Sequence, residues 1–67
     1  SVDKPGSVEW LTSRYENARA ALLLGKNEEC RKLLGVTRLL YPERGGGELA
    51  RKYDELERSL RDGSPPR

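Results

Sequence analysis

GKNEECRKLLGVTRLLYP, residues 25–42, is the stretch that decides the fold. Gly25 has no Cβ and readily adopts the left-handed backbone that closes a preceding helix. Asn27 is a favourable N-cap, and Glu28 and Glu29 suit the positive end of a helix dipole, so a new helix is expected to begin at once. Cys30, Leu33, Leu34, Thr37, Leu40 and Tyr41 then recur at helical spacing and form one buried stripe. Pro42 cannot donate a backbone hydrogen bond and biases Tyr41 away from helical backbone, which predicts an end near Leu40. Gly35 falls inside this helix and costs about 1 kcal/mol relative to alanine. Two explanations stand side by side: a tolerated weakness, or the close approach of a neighbouring helix.

Upstream of Gly25, Val8, Leu11, Tyr15, Ala18 and Leu22 repeat at spacings of three and four, the stripe of a helix over about residues 8–24. Ser7 is placed to cap it and Glu9 to complement its dipole. Downstream, residues 43–47 read as a glycine-rich loop with no strong conformational preference. Leu49, Tyr53, Leu56 and Leu60 then mark a third helix over about residues 47–62, closed by Gly63. Its outer face pairs Glu48 with Lys52, Arg51 with Glu55, Asp54 with Arg58 and Glu57 with Arg61, each worth about 0.2–0.5 kcal/mol. No strand pattern is present. The expectation is an all-α, three-helix antiparallel bundle with helices near 8–24, 28–40 and 47–62, a flexible lead-in at 1–6, one domain at 7–62 and a disordered tail at 63–67.

Composition narrows the function. The chain has 67 residues, close to the size at which one apolar core is barely sufficient, so association with a partner or with a second copy is a natural supplement. Thirteen Lys and Arg stand against 11 Asp and Glu, with the signs interleaved, whereas a phosphate-binding surface usually segregates them. A single cysteine and no histidine exclude an internal disulfide and the usual zinc ligand sets, and favour a cytoplasmic or nuclear setting. The longest apolar run, residues 20–24, is far short of a membrane span, so no membrane insertion is expected.

Catalytic chemistry has little to work with. The carboxylates sit beside Lys or Arg on faces expected to be solvated, and no histidine can act as general base. Cys30 lies on the apolar stripe with Glu28 and Glu29 opposing a thiolate, which points to packing. Gly45, Gly46 and Gly47 precede a helix, but no Lys-Ser or Lys-Thr pair follows them as a phosphate loop requires. The sequence therefore reads as non-enzymatic and without cofactor or metal.

The spacing of Gly25, Cys30, Leu34, Thr37, Leu40 and Pro42, with Ala18 midway along the first helix, resembles one tetratricopeptide repeat. The resemblance covers residues 11–44, with the third helix similar to the capping helix of such arrays. It implies that small residues let the two helices approach while Leu34 and Leu40 fill the space between them. Arg14, Asn17 and Ala21 depart from the aromatic, leucine and tyrosine of that pattern. The hairpin with its third helix is also similar to the three-helix domains of microtubule-interacting and trafficking proteins, which implies binding of helical partner tails. A shorter likeness, to the loop of a J domain, rests on Tyr41-Pro42-Glu43 where that family has His-Pro-Asp; with both flanking residues replaced, its chaperone-stimulating activity is not expected.

Apolar residues remain beyond the main stripes: Trp10, Ala21 and Leu24 on the first helix, Val36 and Leu39 on the second. Either the third helix covers them or they form a protein interface. The leading expectation is an interaction module that binds itself, as a homodimer, or a helical segment of a protein partner through these residues. The alternative is a helical nucleic-acid-binding protein using Arg14, Arg31, Lys32, Arg38 and Arg44 on phosphates, with Arg31 and Arg38 on one helix face. A third is a subunit fragment that folds only within a larger assembly.

Overall fold

A computed structural model describes residues 4–63; the expected lead-in at 1–3 and tail at 64–67 lie outside them. Three helices follow in order: α1 (Val8–Leu23), α2 (Asn27–Leu40) and α3 (Gly47–Asp62). No strand occurs among the described residues. The three-helix all-α architecture is as the periodicity predicts.

Ser7 holds extended backbone, and its hydroxyl oxygen accepts the Trp10 N–H at 3.1 Å, capping α1. The lead-in is less free than its composition suggests over residues 4–6. Ser7 N–H donates to the Lys4 carbonyl, and Gly6, at φ +91°, lies so close to Tyr41 that a Cβ there would sit 2.8 Å from the ring. Only glycine fits that contact.

At the other end of α1, Gly25 N–H donates to the Leu22 carbonyl and Lys26 N–H to that of Ala21, with Gly25 at φ +80°. This doubly bonded left-handed turn satisfies carbonyls the helix leaves open. It also fixes where α2 starts. Lys26, still bonded back to α1, is already the residue whose carbonyl accepts the Cys30 N–H. Asn27 is consequently the first residue of α2 and not its N-cap, and no side chain caps this helix. α2 ends at Leu40, where Tyr41 turns to φ −134°, as a residue before proline does.

The loop into α3 departs furthest from expectation. Arg44, Gly45, Gly46 and Gly47 all have positive φ, from +47° to +86°. Three glycines there supply a left-handed path that other residues resist, and at Gly45 a Cβ would approach Leu49 to 2.7 Å. The loop is thus specified, not indifferent. Arg44 alone carries a side chain through this region.

The core joins Leu11, Ala18 and Ala21 of α1 to Cys30, Leu34 and Thr37 of α2 and to Tyr53 and Leu56 of α3. Ala18, Cys30 and Thr37 are fully buried and short, and α1 packs on α2 more extensively than either packs on α3. The buried Thr37 hydroxyl donates to the Leu33 carbonyl at 2.6 Å. Tyr53 is fully buried, stacks edge-on against Tyr15 and donates its hydroxyl to the Leu11 carbonyl, tying α3 to α1. Val8 and Leu40, expected in the stripes, are mostly exposed instead, each in a terminal turn of its helix. Leu40 therefore does not fill the space between α1 and α2.

Gly35 is exposed, and a Cβ added to it would meet nothing within 4 Å. Close approach of a neighbouring helix is not the reason for this glycine.

Candidate interaction surface

The five apolar residues singled out as an interface part company. Ala21 belongs to the core. Trp10 is half-buried: Tyr41 meets it edge-on at 5.4 Å, and the Arg14 guanidinium lies 4.8 Å from its ring centre. Leu24, Val36 and Leu39 remain in solvent at 72%, 44% and 80% exposure, so α3 does not cover them. They form two patches. Leu24 precedes the start of α2, whereas Val36 and Leu39 lie near its end, about 14–18 Å along the axis from its first residue at 1.5 Å per residue. Leu23 extends the first patch and Leu40, 59% exposed, extends the second. Val36, Leu39 and Leu40 are three and four residues apart and make one stripe on α2.

The five basic residues also divide. Arg44 is only 7% exposed. Its two terminal nitrogens donate to Asp54 at 2.7 Å and Glu57 at 2.8 Å, and its guanidinium lies 6.0 Å from the Tyr53 ring centre. Arg44 is a staple between the loop and α3, and is lost to any phosphate-binding role. Arg14 is turned onto Trp10 and is likewise engaged. Arg38 donates to the second oxygen of Glu57 at 2.9 Å, and Arg31 pairs with Glu28 at 2.8 Å on the open surface. Lys32 is exposed. The acids of α3 follow this network instead of the i,i+4 pattern: Asp54 and Glu57 both turn to Arg44.

Between α2 and α3 runs a groove of about 290 Å³. Arg31, Leu34, Gly35 and Arg38 form one wall, and Glu57, Leu60 and Arg61 the other. Each set follows the three-and-four spacing of one helix face. Sequence reasoning marked Gly35 and the shared face of Arg31 and Arg38, but not their meeting with Leu60 and Arg61. The signal available was the helical glycine on that same face.

Burial pushes the Cys30 thiol up, with Arg31 pulling the other way, so the thiol is protonated near neutral pH. Among the described residues no cluster of three or more acids, histidines and cysteines is placed to hold a metal ion, and no helix is long and apolar enough to cross a membrane. Comparison with known proteins finds no match for this chain among protein families, curated proteins or solved structures.

Proposed function

We propose that the chain is a non-enzymatic helical interaction module that engages a helical segment, of a second copy or of a partner protein, through the outer face of α2. The exposed stripe of Val36, Leu39 and Leu40 carries this reading. Large apolar side chains that no neighbour covers gain about 1.5–3 kcal/mol each when fully buried by another surface. The association cost of at least about 4 kcal/mol consumes much of that for three side chains, so this stripe alone supports a weak complex. Its spacing matches what one helix presents to another. The likeness to tetratricopeptide and microtubule-interacting domains points the same way, and a cytoplasmic or nuclear setting suits the lone buried thiol.

Nucleic-acid binding is less favoured, because Arg14 and Arg44 are spent internally and Glu57 stands among the remaining arginines. Sedimentation equilibrium over a wide concentration range, on the native chain and on Leu39→Lys, tests the proposal. The expected result is concentration-dependent association that the variant abolishes. A chain that stays monomeric at the highest concentration overturns the self-associating version.

A further inference from the structure

The groove between α2 and α3 is a second surface, on a different face of α2 from the exposed stripe. Its inference shares with the proposed function only the premise that the chain engages a polypeptide. Three observations converge on it. The first is size: about 290 Å³ is at the low end for small-molecule sites and suits one or two inserted side chains. Leu34 and Leu60 give it an apolar floor.

The second is Gly35. A glycine inside a helix weakens it, and here nothing within the molecule explains the choice, since an added side chain would meet only open space. The space it leaves is the groove. A bare stretch of α2 backbone lets an incoming side chain sit closer than any other residue would allow.

The third is charge. Arg31, Arg38 and Arg61 stand around the floor against the single carboxylate of Glu57. Both Glu57 oxygens are already taken, one by Arg38 and one by Arg44. Arg31 holds only an exposed i,i+3 pair with Glu28, and no ion pair involves Arg61 among the described residues. The rim therefore carries unneutralised positive charge with rotatable side chains.

We propose that this groove seats an acidic amphipathic segment of a partner protein. An apolar side chain lodges over Gly35 and Leu60, and flanking carboxylates reach Arg31 and Arg61. Single-stranded nucleic acid is the poorer fit, because the walls hold no aromatic ring for bases to stack on.

The test uses the full chain and a synthetic peptide of about 14 residues with Leu at helical spacing and Glu elsewhere, beside a counterpart with Lys in place of Glu. Binding is followed by NMR shift mapping and by titration. The acidic peptide is expected to shift Gly35, Leu60 and Arg61 resonances, and to bind at least tenfold more tightly than the basic one. Gly35→Ala should raise the melting temperature yet weaken binding severalfold. Gly35→Leu should weaken it tenfold or more, Arg61→Glu severalfold, and Leu40→Lys, on the opposite side of α2, should leave it unchanged. Equal binding of both peptides, indifference to Gly35→Leu, or shifts confined to Val36 and Leu40 would overturn the proposal. So would single-stranded DNA that binds more tightly than the acidic peptide and is lost in the same variants. Absent peptide binding beside a Leu39-dependent dimer would sink the groove while leaving the interaction module standing.

Discussion

The two sides of α2 are built on opposite plans. Toward α1, Ala18, Cys30 and Thr37 are short and fully buried, and the helices close on one another. Toward α3, Arg38 and Arg44 reach across to Glu57, and an open groove remains beside them. Close packing demands small side chains and then tolerates no change of volume, whereas long charged side chains bridge a gap without filling it. In this molecule the first side supplies rigidity and the second leaves surface to use.

The largest predicted effect strikes the tight side. Ala18→Leu inserts a large side chain into full burial and is expected to destabilise the chain by about 3 kcal/mol in denaturant titration. For so small a domain that is a large share of total stability. A loss under about 1 kcal/mol would mean that the hairpin interface is looser than its burial implies.

Nearly as large is the effect of alkali on the contact of α3 with α1. Burial pushes the Tyr53 phenol up to about 12, against the opposing pull of the Arg14 and Arg44 guanidiniums. Since the folded value lies above that of the unfolded chain, this contribution is complete below about pH 10 and is lost as pH rises towards about 12. The loss is at most about 3 kcal/mol. Tyr53→Phe lacks that proton, so its stability should vary less with pH across this window; parallel curves for both proteins would refute the assignment.

Arg44→Met is expected to cost about 2 kcal/mol, because it leaves the mostly buried Glu57 carboxylate with one partner fewer. The left-handed backbone at this position would remain unfavourable for methionine too. Chemical denaturation at low and high salt should show a similar loss, as a largely buried pair is poorly screened. The smallest effect is opposite in sign. Gly35→Ala should stabilise the fold by about 1 kcal/mol, since α2 gains helix propensity and the groove has room for the methyl group.

Helix number and most boundaries were legible because they rest on local chemistry: Ser7, Gly25, Pro42 and Gly63 each act within a few residues of themselves. The start of α2 was not, since Lys26 is drawn into the closing turn of α1, a contest between two adjacent caps that composition does not reveal. Arg44 was misread as a surface cation because its burial depends on Asp54 and Glu57, a full loop and more than a helical turn away. The same long-range pairing takes Asp54 and Glu57 from the i,i+4 partners expected for them on α3. Of the five surplus apolar residues, for which cover by the third helix and an interface stood as alternatives, Leu24, Val36 and Leu39 stay exposed, whereas Trp10 and Ala21 find partners only once the hairpin closes. The groove needed two helices at once, and a pattern read along one chain segment marks only one wall.

The turn at residues 24–26 has a consequence for how quickly the molecule assembles. With so few residues between them, α1 and α2 meet through contacts of low sequence separation, and loops of that order close in well under a microsecond. α3 joins through residues 41–46, a short connection in which glycine makes the left-handed backbone accessible from Gly45 onward. Low contact order of this kind places the chain among fast folders, and leaves little time for the leucines of its core to meet a stranger before they are buried.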